Sequence, residues 1–221
     1  MPIELPVLTV ANAAAWSTWL TRSSSTSKGV WLTLSKKGAT FPTSITYAQA
    51  LDEALCHGWI DGQARKGKDE YADVSYTQRF TPRRAKSSWS RRNVEHVARL
   101  DIEGRMKDAG YRAVETAKQD GRWDAAYAGQ ATAELPPAFL AAVKASPAAQ
   151  ATYNTMTRQN RFIIYYRLNA LKTETGREIR IAAFVEMLAR GETPYPQKKS
   201  IQTLSAASSS STKRRKLHTT Y

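Results

Sequence analysis

The stretch SYTQRFTPRRAKSSWSRRN, Ser75 to Asn93, places six arginines and lysines in nineteen residues without a single acid. In its first half Val74, Tyr76, Gln78 and Phe80 alternate with Asp73, Ser75, Thr77 and Arg79. That period predicts a strand with Val74 on the inward face and Arg79 on the polar one. Thr81-Pro82 ends the strand, because proline has no N–H to give a ladder. Ser87, Ser88 or Ser90 then suits the N-cap of a following helix. A helix start offers free N–H groups and the positive end of the dipole, which favour an anion. Arg79, Arg83, Arg84 and Lys86 around Ser88, Trp89 and Ser90 would complete a site for phosphate, carboxylate or a nucleic-acid backbone. Trp89 either stacks on a ligand ring or pins the helix to the sheet. An ordinary strand-to-helix turn, with arginines bonding the protein's own carbonyls and acids, accounts for the same residues.

Asp61, in GWIDG, joins this candidate set. It stands two residues after Trp59 on the same face of a regular strand, where it would pair with Arg79 across the ladder or orient a ligand. Cys56-His57 invites a nucleophile-and-base reading. Neighbours on a helix do not face each other, so the pair meets only if the helix ends at Cys56. A lone cysteine on an apolar helix face is ordinarily a small buried hydrophobe. His57, His96 and His218 are far apart, no cysteine or carboxylate cluster has metal-ligand spacing, and no glycine pattern for phosphate or dinucleotide binding occurs. No catalytic residue, metal or cofactor is therefore assigned.

The elements that would position these groups are legible in part. LPVLTV predicts a short strand, Asn12 caps a helix carrying Trp16, Trp19 and Leu20 on one face, and VWLTL predicts a second strand. Thr46 and Gln49 form a capping box ahead of the stripe Tyr47, Ala50, Leu51, Ala54 and Leu55, which Gly58 closes. Two strands flank Gly67. From Ser87 onward the pattern is helical, with Pro137 and Pro147 at first-turn positions. NRFIIYYRLNAL, apolar on most sides, suggests the centre of a C-terminal bundle. Thr175 with Glu178 suggests a capping box for the last helix, which Gly191 and Pro194 end. The expected fold is α+β: a small mixed sheet with two helices, then an all-helical bundle. The expected divisions are 1–127, 136–192 and a disordered basic tail at 193–221, with GQATAELPP as the connector.

The net charge is +14, of which six charges lie beyond Pro196 with no acid, so +8 belongs to the body. Such a surplus attracts polyanions with strong salt dependence. No apolar run approaches the roughly 20 residues of a membrane span, and MPIELPVLTV lacks the layout of a signal peptide. The single cysteine excludes an internal disulfide and fits the cytosol or nucleus. KRRK at Lys213 to Lys216 is a candidate nuclear-import signal or nucleic-acid tether.

ALCHGWIDGQ, QRFTPRRAKSSWSRRN, EGRM and AKQDGRWDAAY resemble, in order, segments of the YdeI/OmpD-associated, bacteriocin-protection family. PPAFLAAV and NRFIIYYRLNALKTETGREIRIAAFVEMLARGE resemble its helical OmdA module. The resemblance spans Ile45 to Glu192 and implies a small α/β portion followed by a helical one. It implies an association with envelope stress and resistance to cationic or bacteriocin-type agents, and no established catalytic residue, cofactor or substrate. The KRRK tail is a eukaryotic-looking departure from it. Three functions follow: a non-enzymatic stress- or resistance-associated protein with an anion site at residues 79–90, a nucleic-acid-associated basic protein, or an enzyme acting on a small anionic substrate near Asp61, Arg79 and Arg83.

Overall fold

Asn12 and Thr46 start the two helices that pack on the sheet, and both do so through local chemistry. The Asn12 side chain accepts from the Ala15 N–H ahead of α1 (Ala13–Ser23), and Thr46 with Gln49 closes a reciprocal capping box ahead of α2 (Tyr47–Cys56). The computed structural model describes residues 4–67 and 70–197. Of the basic tail expected at 193–221, residues 198–221, KRRK among them, fall outside those residues. The chain divides into two compact units, Met1–Glu134 and Leu135–Tyr221. The fold is α+β, with the sheet in the first unit.

That sheet has four strands among the described residues: β1 (Val7–Leu8), β2 (Val30–Ser35), β3 (Trp59–Lys66) and β4 (Ser75–Pro82), ordered β1-β2-β4-β3. β1 runs parallel to β2, and the other pairings are antiparallel. Trp16 and Leu20 of α1 and Ala50 and Ala54 of α2 bury against Leu32, Leu34, Trp59 and Phe80 of the sheet. Burying Leu32, Leu34 or Phe80 contributes about 1.5–3 kcal/mol each. The Trp16 indole N–H, which would otherwise be stranded in this core, donates to the Ala50 carbonyl at 3.1 Å.

A second core forms where α2 meets α3 (Arg91–Ile102) and α4 (Asp108–Gln119), with Leu51, Leu55, Trp89, Leu100 and Val114 inside it. In the other unit, α5 (Pro137–Lys144), α6 (Pro147–Asn154), α7 (Arg158–Asn169) and α8 (Glu174–Ala189) bury Phe139, Ile164, Leu168 and Phe184 together.

Three local expectations are corrected. Val74 precedes β4 and is exposed, while Ser75, Thr77, Gln78 and Phe80 are all buried. β4 is a central strand with buried residues on both faces, Thr77 on one and Gln78 and Phe80 on the other, so a simple inside–outside alternation does not apply. The last helix is capped by Thr173, whose hydroxyl accepts from Gly176 N, and not by Thr175. On α7 only Asn160, Ile164 and Leu168 are buried, one stripe at four-residue spacing. The polar member of that stripe is satisfied: Asn160 donates to the Tyr195 carbonyl and Gln197 and accepts from Tyr195 N. The stretch 193–197 thus packs onto α7.

Candidate functional site

β4 stops at Pro82, and the chain then carries Arg83 and Arg84 into a turn ahead of α3. The Arg83 N–H donates to the Gly58 carbonyl at 3.0 Å, which fixes this turn against the end of α2. The same corner receives α4. Gly58 has a φ of +73°, and a Cβ there would come within 2.6 Å of the Ala109 carbonyl oxygen. A Cβ on Gly110 would collide with the Cys56 carbonyl. Two glycines therefore let α4 approach the α2–β3 turn backbone to backbone. Lys107 N donates to the Cys56 carbonyl at 3.1 Å and completes the junction.

Between these two walls lies a cleft of about 490 Å³. Arg83, Arg84 and Trp89 line it from the β4–α3 turn, Arg112 and Thr116 from α4, and Arg122 from the turn beyond. Ser24 and Ser25, at the end of α1, complete the rim.

Arg83 is the least conventional of these groups. Its guanidinium lies over the Trp89 ring at 3.5 Å from the centroid, and Nη1 donates to the Ser88 carbonyl at 3.2 Å. Nε and Nη2 are buried without a hydrogen-bond partner, as is the Trp89 indole N–H. Burial pushes the Arg83 pKa down to about 10, against weaker opposing fields from Tyr127 and Asp61. It stays charged at neutral pH, held by a π face and one carbonyl and by no acid. Arg84 and Arg112 are exposed and, among the described residues, form no ion pair. Arg122 is paired: it contacts Asp120 at 2.8 Å and donates to the Ser87 carbonyl at 2.8 Å.

The start of α3 is engaged by the chain itself. Ser90 caps it, accepting from Asn93 N at 3.2 Å, and Arg91 N donates to the Tyr127 carbonyl at 2.9 Å. Anion recognition by that helix end therefore has two of its donors already committed. Of the residues singled out in the sequence, His57, Trp59, Arg83, Arg84 and Trp89 line the cleft. Ser88 contributes its carbonyl to Arg83, Ser90 is the cap, and Lys86 is exposed outside the lining. Asp61 and Arg79 do not line the cleft, though the field of Asp61 reaches Arg83, and they form no ion pair with each other. Asp61 accepts from the Tyr47 hydroxyl at 2.9 Å, and burial together with that carboxylate drives the Tyr47 pKa upward. Arg79 packs across Gly62, where a Cβ would come within 2.7 Å of Nε.

Cys56 and His57 are brought to a helix end without meeting. α2 does end at Cys56, but His57 contacts the Glu53 carbonyl through Nδ1 at 2.9 Å and the Thr21 hydroxyl through Nε2 at 3.3 Å. Cys56 is buried, and burial pushes its pKa up to about 11. Among the described residues no group of histidine, cysteine and carboxylate side chains has the arrangement of a metal site.

Sequence reasoning overlooked Arg112 and Arg122. Gly58 and Gly110 were the available signal, since only a residue without Cβ permits the approach that brings α4 to the turn.

Residues 132–191 match the family model described as bacteriocin-protection, YdeI or OmpD-associated. That match falls almost wholly in the C-terminal unit. Residues 8–113 match a separate model, a domain of unknown function designated DUF8412. No curated protein and no solved structure matches the chain. The cleft therefore lies outside the OmdA domain, mostly within the DUF8412 match. The OmdA assignment describes the helical unit, and the chemistry of the first unit has to be argued from its own residues.

Proposed function

We propose that the protein is a non-enzymatic, stress- or resistance-associated binding protein whose N-terminal unit takes up an anionic ligand in the arginine-lined cleft. The OmdA domain supports the first half of this reading. The second half rests on one observation: among the described residues, Arg122 alone of the four arginines lining the cleft has an acidic partner. Arg99 and Arg105 of the same unit are neutralised by acids, while Arg22, Arg65, Arg79, Arg91 and Arg92 form no ion pair among the described residues; what sets the cleft apart is that three such arginines line one concavity. A buried or clustered cation without a counter-charge is costly, and an anion in the cleft would supply what Arg83 lacks. Binding is favoured over turnover because the nearest groups capable of nucleophilic or acid–base work are occupied. The Cys56 thiol is buried and protonated, and both ring nitrogens of His57 have partners.

Inorganic phosphate tests the reading. Titrated against chloride at equal ionic strength, phosphate should raise the melting temperature of the full chain. Arg84→Glu combined with Arg112→Glu, both at exposed and unbonded side chains, should remove that rise without lowering the baseline. A phosphate response no larger than that to chloride, or one retained by the double variant, overturns the reading. Nuclear import through KRRK is a separate proposal, tested by localising the chain with and without Lys213 to Lys216.

A further inference from the structure

Resting on that anion-binding reading, we propose that the ligand is a compact, non-aromatic polyanion: two phosphoryl groups, alone or on a hydroxyl-bearing scaffold. Three features of the cleft lead there.

Charge comes first. The two walls each carry arginine, Arg83 and Arg84 on one and Arg112 and Arg122 on the other, and Asp120 offsets only the last. A single monoester phosphate carries a charge of about −1.5 to −2 at neutral pH and leaves part of this set uncompensated. Two phosphoryl groups match it, one toward each wall. Arginine forks suit such oxygens through paired N–H donors.

Size is the second constraint. A volume of about 490 Å³ takes a small molecule and excludes the width of a duplex.

The third feature is the absence of an open aromatic face. Nucleotide and single-strand sites gain much of their affinity by stacking bases on aromatic rings. Trp59 and Trp89 both line the cleft, yet they are 1% and 2% exposed. One face of Trp89 lies under the Arg83 guanidinium, and Trp123 meets it edge-on at 4.8 Å. Trp59 is met edge-on by Trp16 and Trp19 at 6.2 and 5.8 Å. A base entering the cleft would find charge and no platform. What remains at the rim are hydroxyls and His57, whose Nε2 contacts the Thr21 hydroxyl. The hydroxyls of Thr21 and Thr116 already donate to carbonyls of their own helices, whereas Ser24 and Ser25 make no side-chain hydrogen bond among the described residues. These two are partners for hydroxyls on a ligand scaffold.

The test compares probes in pairs by calorimetric titration of the full chain at fixed ionic strength. Pyrophosphate should bind about tenfold or more tighter than orthophosphate, and fructose 1,6-bisphosphate should exceed fructose 6-phosphate by a similar factor. AMP and ribose 5-phosphate, which differ only by the base, should bind equally. Arg112→Ala should reduce the advantage of the bisphosphate over the monophosphate. AMP binding about tenfold tighter than ribose 5-phosphate would reveal a stacking platform and overturn the proposal. So would a single-stranded oligothymidylate that outcompetes pyrophosphate with a steep salt slope, or equal affinities for mono- and bisphosphate. These failures leave anion binding itself standing. Absence of any response to orthophosphate, pyrophosphate and bisphosphate removes both readings together.

Discussion

Arg99 and Arg105 stand among acids, whereas Arg83, Arg84 and Arg112 do not, although all five belong to the same unit. Arg99 contacts Asp52 at 2.7 Å and Glu103 at 2.9 Å, while Arg105 contacts Glu53 at 2.7 Å and Glu103 at 3.0 Å. His96 adds a contact to Asp52 at 3.3 Å. This set ties α2 to α3 and to the loop beyond it, and its three carboxylates more than balance its two arginines. On the cleft side Arg83 rests on Trp89, and the neighbouring arginines project without acids. The same residue type therefore serves two ends. Where the carboxylates of α2 are in reach, arginine joins elements; where the chain supplies only a ring and carbonyls, a positive field is left for something else to neutralise.

The largest expected effect comes from removing the surface on which the cleft is built. Trp89 is nearly fully buried in the second core, so Trp89→Ala leaves a cavity and should cost about 3–5 kcal/mol in chemical denaturation. It should also abolish the phosphate response, since Arg83 loses its support. Asp52→Ala attacks the compensated set instead. It strips Arg99 and His96 of their shared acid and should cost about 2 kcal/mol, given that the Asp52 side chain is only 13% exposed. The phosphate response should survive it. Loss of that response in Asp52→Ala would mean that the two arginine sets act as one.

The capping residues Asn12 and Thr46 and the stripe of α2 were legible in the sequence because each is decided within one or two helical turns. The faces of β4 were not, because a strand's alternation reports burial only when one face is open, and β4, flanked on both edges, buries residues on both faces. The cleft was half legible. Arg83, Arg84 and Trp89 are contiguous in the chain, so their common location follows from a single turn. Arg112 and Arg122 reach them only because Gly58 and Gly110 let two backbones meet, a close approach that no local pattern encodes. Asp61 was drawn to Arg79 by strand logic, yet it found the Tyr47 hydroxyl from α2, a donor that already sits over the sheet.

Arg83→Met separates stability from binding. It removes a buried, unpaired guanidinium while keeping an apolar group over Trp89, so the melting temperature should hold or rise. The phosphate-induced rise should fall by about tenfold in apparent affinity. A marked fall in the baseline instead would make Arg83 a structural residue like Arg99.

Cys56 sharpens the contrast from the compensated side. A thiol beside an isolated arginine becomes more acidic, but here burial raises its pKa first, and Glu53 opposes the field of Arg105. With a pKa near 11, only about one thiol in a thousand ionises at pH 8, so reaction with a disulfide reagent on the native chain should be slow. It should reach the rate of a free thiol only on unfolding.

The smallest effect is a pH dependence, and it belongs to the compensated set alone. Hydrogen bonds from Arg99, then from Arg105, hold the Glu103 pKa below the ordinary value of about 4.3. A carboxylate whose pKa is lower in the folded state than in the unfolded one binds fewer protons when folded. Its contribution is therefore complete above about pH 4.3 and is lost as the pH falls through the lower, folded value. Glu103 is exposed, so solvent screens the pairs and the change should be slight. Glu103→Gln should flatten the wild-type decline in melting temperature below about pH 4.3 and leave the curve at pH 7 nearly unchanged. Arg84→Gln, which removes an arginine with no acid to titrate, should leave the acid limb as it is. Were Arg84→Gln to flatten that limb too, an acid would have to pair with Arg84 itself, and the contrast between the two sets would be lost.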